Sequence, residues 1–318
     1  MRSGWDEDAA FLAFDAGPYG YGHQHEDKLS FVVWAHGRQQ LLDPGNFSYD
    51  QSRWRRYVLA TYGHNTVLVD GQGQHRNGKR ETYFWPRPWQ GAAPPDNDAR
   101  WTSTPDYDFA SGVYSDGYGP KNEIQVAHTR RVLYLKADNL FVLFDQLVPA
   151  DPNDHTYQAL FHLDTEEATA GPGTAVTTQN PDQSNLTITP AGNLDVEIVK
   201  GKTEEPVQGW SNGPWRAIPT AIYSTKGSGP TRLAFVLEPV VKGAPAKVSR
   251  VEVLPGIAAG VALRLTLTDG STRLIVQRDK PGEPVTIEGV TAKTEMTVVS
   301  RGGDGKTVSQ FAFDGEAQ

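Results

Sequence analysis

The sequence predicts an all-β chain, and three observations carry that expectation. Short runs rich in β-branched and aromatic residues recur throughout the 318 residues, and 32 glycines and 22 prolines punctuate them. Almost no stretch shows the apolar period of an amphipathic helix. Two runs, RRVLYL before Lys136 and LFVLFDQL after Asn139, are nearly continuous in apolar residues, the pattern of strands buried between sheets.

Taken in order, Ala10 to Asp15 reads as a strand feeding a turn at Gly17-Pro18-Tyr19-Gly20. Leu29 to His36 is the next strand, and Gly37-Arg38 turns it back into Gln39 to Leu42. Thr66 to Val69 follows, and residues 91–108, rich in Ala, Pro, Asp and Thr, read as a surface loop. Phe109 to Tyr118, Ile124 to Leu135, Leu140 to Gln146 and Tyr157 to Leu163 read as strands. Lighter alternating runs come next at Leu186 to Thr189, Leu194 to Val199, Thr220 to Thr225 and Thr231 to Leu237. Trp210 to Trp215 reads as a loop carrying two indoles, candidate sugar platforms or plugs of a sheet edge. Short strands at Val248 to Val253, Val261 to Leu267, Thr272 to Gln277 and Met296 to Val299 suggest a small accessory β-subdomain over 242–318, distinct from a main unit over 1–241. That tail holds no histidine and no legible chemistry.

Composition narrows the function classes. The chain has no cysteine, which excludes disulfides and thiolate metal sites. No apolar run approaches the roughly eighteen residues of a membrane span. The net charge of −8 and the lack of a nucleic-acid-binding motif argue against nucleic acid. Basic residues nevertheless concentrate between Arg53 and Arg87: Arg53, Arg55, Arg56, Arg76, Lys79, Arg80 and Arg87, with Trp54, Tyr57, Phe84, Trp85 and Trp89 among them. Such a stretch suits an acidic sugar polymer, through guanidinium–anion pairs and ring stacking, or is a solvated basic surface over core aromatics.

The chemistry concentrates in GHQHEDKLSF at 22–31, read together with Asp43-Pro44-Gly45 and TYGHNT at 61–66. In a strand, His23 and His25 would share one face, and the following hairpin would return Asp43 beside them. With His64, two imidazoles and a carboxylate would suit Zn²⁺, with a position left for water or a further ligand. The bland alternative is a set of polar strand ends bonded to loops.

These runs, with LLDPGNFSY and RWRRY, resemble the heparinase II/III-like polysaccharide lyases. A weaker likeness extends through His128-Thr129-Arg130-Arg131, Phe161-His162-Leu163 and Gly209-Trp210. The resemblance implies β-elimination on a uronate-containing polysaccharide, by an N-terminal helical toroid and a C-terminal antiparallel multi-stranded β-sandwich. It implies metal ligation by His25, Asp43 and His64, with the zinc ordering loops near the cleft, and a substrate-facing His23. Tyr49 joins His23 as a candidate catalytic residue, and Arg53, Arg56, Tyr57, Trp85 and Trp210 are candidate substrate contacts. His162, alone inside a strand, reads as a core residue. The toroid is expected to be absent from this chain, being part of a longer parent, supplied by a partner chain, or lost. The N-terminus has no apolar signal core, and the parent is expected to be periplasmic or secreted. A non-catalytic carbohydrate-binding module and a cupin-like metalloenzyme are the competing readings. Against the second, a cupin needs a Glu about four residues after its second His, where this sequence has Leu29 or Ser30.

Overall fold

A computed structural model describes residues 1–17, 23–76 and 99–315. Expectations for the turn at 17–20, for residues 91–98 and for Lys79, Arg80, Phe84, Trp85, Arg87 and Trp89 fall wholly or partly outside them. Among the described residues the chain is overwhelmingly β. The early strands are β1 (Phe11–Phe14), β2 (Phe31–Ala35), β3 (Arg38–Leu41), β4 (Val67–Val69), β5 (Arg100–Ser103) and β6 (Tyr107–Tyr114). The long central strands are β7 (Val126–Leu135), β8 (Leu140–Pro149) and β9 (Asp154–His162). They lead to β10 (Ala168–Ala170), β11 (Val176–Thr178), β12 (Asn185–Pro190), β13 (Asp195–Lys200), β14 (Trp210–Ser211), β15 (Arg216–Ala217), β16 (Pro219–Ser228) and β17 (Thr231–Val240). The remainder are β18 (Val248–Leu254), β19 (Gly260–Leu267), β20 (Thr272–Arg278), β21 (Val285–Ile287), β22 (Val290–Ala292), β23 (Met296–Arg301) and β24 (Thr307–Phe313).

Eight strands form one antiparallel sheet, in the order β10-β11-β12-β17-β8-β7-β6-β5. A four-stranded sheet, β13-β16-β9-β4, and a three-stranded sheet, β1-β2-β3, contribute to the core on one of its faces. A five-stranded sheet, β18-β19-β20-β23-β24, packs on the other. This layering explains the continuous apolar runs. On β8, Phe141 and Leu143 enter the first core while Val142 and Phe144 enter the second, so alternate side chains are buried on opposite faces. Phe161 and Tyr223 of the four-stranded sheet meet Phe235 of the large sheet with ring centroids 5.0 and 5.2 Å apart. The described residues thus form the antiparallel β-sandwich that the sequence predicts, extended by a further sheet.

Several local expectations need correction. The HxH segment is not a strand. His23 has φ 59°, a left-handed backbone that breaks extended pairing, and residues 23–30 form a loop. Within the expected 91–108 loop, Arg100–Ser103 pairs with β6 as an edge strand. Trp210 to Trp215 opens the small β14–β15 hairpin, in which Trp210 pairs with Ala217. The RWRRY run forms a helix, α1 (Arg53–Leu59), because the Ser52 side chain accepts a hydrogen bond from the Arg55 amide and caps its first turn. In the tail, β24 was not anticipated; its Phe311 and Phe313 stack on Tyr107, with centroids 4.5 and 4.3 Å away.

Candidate metal and catalytic site

The site is assembled from loops hung on the sheet ends. Residues 23–30 are fixed by backbone bonds rather than by pairing in a sheet. The Glu26 amide donates to the Leu59 carbonyl at the end of α1, and the Leu29 amide donates to Asp15. Gln74 brackets Lys28, accepting from its amide and donating to its carbonyl. Gly112 of β6 lets this loop lie close to the large sheet, since a Cβ there would sit 2.8 Å from both Ala16 Cβ and Leu29 Cδ2. Gly63 plays the same part in the 61–64 turn, where a Cβ would meet the Tyr57 carbonyl oxygen at 2.8 Å and Pro44 at 2.9 Å. The glycine of TYGHN therefore reflects close approach of two backbones.

His64, fully buried, has Nδ1 2.8 Å from Asp43 Oδ2, while its Nε2 has no hydrogen-bond partner. The His25 ring lies 5.4 Å from it, centroid to centroid. His25, Asp27 and His64 each offer a ligand atom within 4.8 Å of the others. Asp27 was missed in the sequence, where it sits among charged residues with no periodic signal to single it out. Asp43, expected as the oxygen ligand, instead engages Nδ1 of His64 and accepts the Gly45 amide at 2.9 Å.

The electrostatics follow from this arrangement. Burial opposes protonation of His64, but the Asp43 hydrogen bond and charge, with Asp27, outweigh it and raise its pKa. His25 moves the other way, lowered by burial and then by the charge of His64. Burial would raise Asp43, yet the His64 hydrogen bond and charge, with the Gly45 amide, leave it below the ordinary carboxylate range. Asp15 is pushed up to about 6, by burial and then by Asp27. Asp15, Asp27 and Asp43 line an open pocket of about 350 Å³ between the β1–β2 face and this cluster.

The donor chemistry fits a borderline divalent ion. A buried imidazole nitrogen without a hydrogen-bond partner, a second imidazole and a carboxylate converge, and Asp43 orients His64 as carboxylates orient metal-bound histidines.

His23 and Tyr49 lie together at the surface. The Tyr49 hydroxyl is 2.6 Å from His23 Nδ1, and the Arg55 guanidinium sits 4.6 Å from the centroid of the Tyr49 ring. Arg55 is itself held by Asn46 Oδ1 at 2.6 Å and the Phe47 carbonyl at 3.1 Å. Arg53 donates to the Thr203 carbonyl, and Arg56 pairs with Glu205 at 2.6 Å, both on the surface. Tyr57 requires correction as a sugar contact. It is buried among Trp54, Val58, Trp210 and Trp215, its hydroxyl donates to the Trp210 carbonyl, and burial raises its pKa. Trp210 behaves as a plug. It meets Trp54 edge-on at 5.2 Å, and its indole N–H donates to Lys202.

Behind the site stand Asn65 and Arg130. Asn65 donates to the Phe31 and Leu42 carbonyls and accepts the His162 amide. Arg130, fully buried, donates to the Leu29 and Asn65 carbonyls and is paired with Asp145. His162 is a core residue, as expected, with Nε2 2.9 Å from the Tyr62 carbonyl oxygen.

The fold and site define a β-sandwich with a histidine–carboxylate centre at its sheet ends. The family model "Heparinase II/III-like, C-terminal" matches residues 2–218, and the chain belongs to that family. Among solved structures, a heparan sulfate lyase mutant from Pedobacter heparinus superposes with a TM-score of 0.67 at 19% identity, covering 89% of this chain and 41% of that one. A heparinase III with methylated lysines gives 0.65 at 17% identity, covering 84% of this chain and 38% of that one. A second heparinase III structure gives 0.60 at 15% identity, over 84% and 39% of the two chains. These likenesses are of fold, and the chain spans about two fifths of the length of the structures it matches. No curated protein matches it in a sequence comparison. Among the described residues, no helix is long and apolar enough to cross a membrane.

Proposed function

We propose that this chain is the metal-binding sandwich half of a polysaccharide lyase, one that cleaves an acidic, uronate-containing polysaccharide by β-elimination. The observation that carries this reading is the exposed His23–Tyr49 pair, joined at 2.6 Å beside the His25–Asp27–His64 cluster. In β-elimination a base removes the proton on C5 of the uronate. The electron pair of that C–H bond becomes the C4–C5 double bond, the C4–O4 bond breaks, and O4 departs with a proton. Tyr49 passes its phenolic proton to His23 Nδ1, its oxygen then takes the C5 proton, and the re-formed phenol gives that proton to the departing O4. Arg55 pairs with the uronate carboxylate and so acidifies the C5 proton by neutralising the charge beside it. Arg53 and Arg56 hold neighbouring anionic groups of the polymer.

The residues that would hold zinc are His25, Asp27 and His64, with Asp43 fixing the His64 ring. Bound there, the ion supplies a fixed charge that ties the HxH loop to the 61–64 turn. The parent protein works in the periplasm or outside the cell, where such polymers occur. A helical toroid, in the same parent or in a partner chain, supplies the other wall of the cleft. Residues 242–318 form the accessory β-subdomain of this half.

The test is ultraviolet detection of unsaturated uronate product from a panel of uronate polysaccharides, for the chain alone and mixed with a helical domain of a family lyase. Tyr49→Phe and His23→Ala are each expected to lower product formation by about 10²–10⁴-fold, as for a positioned acid or base, with metal content unchanged. Binding of the polymers with no product in either arrangement would identify the chain as a carbohydrate-binding module instead.

A further inference from the structure

The three arginines of α1 are bonded differently. Arg56 is closed by a carboxylate, donating to Glu205 at 2.6 Å and to the Gln51 carbonyl at 2.7 Å. Arg53 donates to the Thr203 carbonyl at 3.1 Å. Arg55 makes both of its side-chain bonds through one nitrogen. Its Nη1 donates to Asn46 Oδ1 at 2.6 Å and to the Phe47 carbonyl at 3.1 Å, while Nε and Nη2 have no hydrogen-bond partner among the described residues. Asp50, on the same loop, does not close them, since its two oxygens accept from the Ser48 hydroxyl and the Ser52 amide.

The free atoms share one edge of the guanidinium. Nη1 lies on its Cδ side, and Nε and Nη2 direct parallel N–H groups the other way, a fork that matches the two oxygens of a carboxylate. A group bound on that edge stands beside Tyr49, because the guanidinium carbon is 4.6 Å from the ring centroid, and the phenol oxygen is 2.6 Å from His23 Nδ1. In a uronate the carboxylate carbon is bonded directly to C5, so fixing the carboxylate here also fixes where the C5 proton lies. A long side chain left alone samples many rotamers that binding must then order. Asn46 removes that freedom, and is itself held. Its Oδ1 also accepts the Phe47 amide at 2.9 Å, its carbonyl accepts from Asn212 Nδ2, and the Asn212 amide donates to the Pro44 carbonyl at 3.2 Å. The β14–β15 hairpin thus braces, from far along the chain, the loop against which Arg55 is set.

We propose that Asn46 is a positioning residue, which clamps Nη1 so that the Nε–Nη2 edge of Arg55 receives the free carboxylate of a uronate. The proposal rests on the reading of the chain as one that acts on uronate polymers. It adds a requirement, that the carboxylate be unesterified, since an ester offers the fork no charge.

The experiment is a titration of the purified chain with glucuronate and with its methyl ester, followed by NMR of the His23 and Tyr49 rings. Glucuronate is expected to shift these signals saturably and to bind about tenfold or more tightly than the ester, as charge-assisted hydrogen bonds require. Asn46→Leu, which removes the acceptor for Nη1, should bring that preference down toward the preference of Arg55→Lys, which keeps a charge without the fork. In an Arg55→Lys background, Asn46→Leu should have no further effect, whereas a merely structural role for Asn46 would weaken binding in both backgrounds. No response to glucuronate, equal binding of the ester, or an Asn46→Leu effect of the same size in both backgrounds would overturn the proposal. A monosaccharide has no O4 linkage to break, so the outcome is independent of lyase turnover. Preference for glucuronate without unsaturated product from any polymer would sink the reaction and leave this site, and product without preference would do the reverse.

Discussion

Asp27 shows how much one side chain can change the reading of a site. With Asp43 occupied on Nδ1 of His64, the oxygen that lies with both imidazoles is the Asp27 carboxylate. Asp27→Asn and His25→Ala are therefore expected to lose bound zinc in elemental analysis of the purified chain, whereas His23→Ala keeps it. Full retention of zinc by Asp27→Asn would return the ligand role to Asp43. The Tyr49 phenol belongs to the same scale: 72% exposed, it owes its position to two contacts, His23 and the Arg55 guanidinium.

At the scale of elements, the site is held by polar ties between strand ends. Asn65 joins the start of β2, the exit of β3 and the end of β9 through three buried hydrogen bonds of its side chain. Asn65→Ala strands two carbonyls and an amide, and is expected to cost about 3 kcal/mol or more, read from chemical denaturation. Directly paired across β7 and β8, Arg130 and Asp145 form a buried ion pair, and His128 Nε2 donates to the same carboxylate at 2.7 Å. Burial lowers the pKa of His128 against the pull of Asp145, so its neutral form is the folded form. Its contribution to stability is thus complete above the unfolded value of about 6.5 and is lost as pH falls toward the folded pKa. Burial would raise Asp145, but Arg130 and then His128 outweigh it and hold the carboxyl below the ordinary range. Its contribution is present above about pH 3.9 and is lost below that. Denaturation midpoints should therefore fall in two stages on acidification. A midpoint that stays flat from neutral pH to about pH 5 would contradict the assignment of His128.

For the whole molecule, the joint between the large sheet and the five-stranded sheet is partly ionic. Glu295, 2% exposed, accepts from Arg131 Nε at 2.6 Å and from both terminal nitrogens of Arg100 at 2.8 and 2.9 Å. Around it lies a shared apolar core in which Phe109, Leu133 and Phe144 meet Leu263, Leu265 and Val298. Removing one member of a buried pair leaves an uncompensated charge, so Glu295→Ala is expected to destabilise the chain by about 3–5 kcal/mol in a denaturant titration. A smaller effect would mean that the apolar contact alone holds the two sheets together.

The strands were legible because burial imposes a period of two, or continuous apolarity where both faces are covered, and local sequence carries that signal. β8 is the clearest case, its LFVLFDQL run feeding two cores at once. The HxH, Asp43 and HNT elements stood out because few side chains can serve as metal ligands or proton carriers, and the fold does bring His25, Asp43 and His64 together. The helix at RWRRY was not legible: it is only seven residues long, stabilised by one cap and by packing on Trp210 and Trp215. Nor was the loop that carries His23 and His25, whose path is set by bonds to Asp15, Leu59 and Gln74, distant in sequence. The entry of Asp27 into the cluster follows from that path, whereas Tyr57 is closed off by the indoles of Trp54, Trp210 and Trp215. By itself, then, the sequence determined the sandwich and the kinds of side chain at its centre, since periodicity and ligand chemistry are local properties. Only the tertiary structure decided which carboxylate joins the imidazoles and which aromatics are closed off, because both depend on where loops distant in sequence meet.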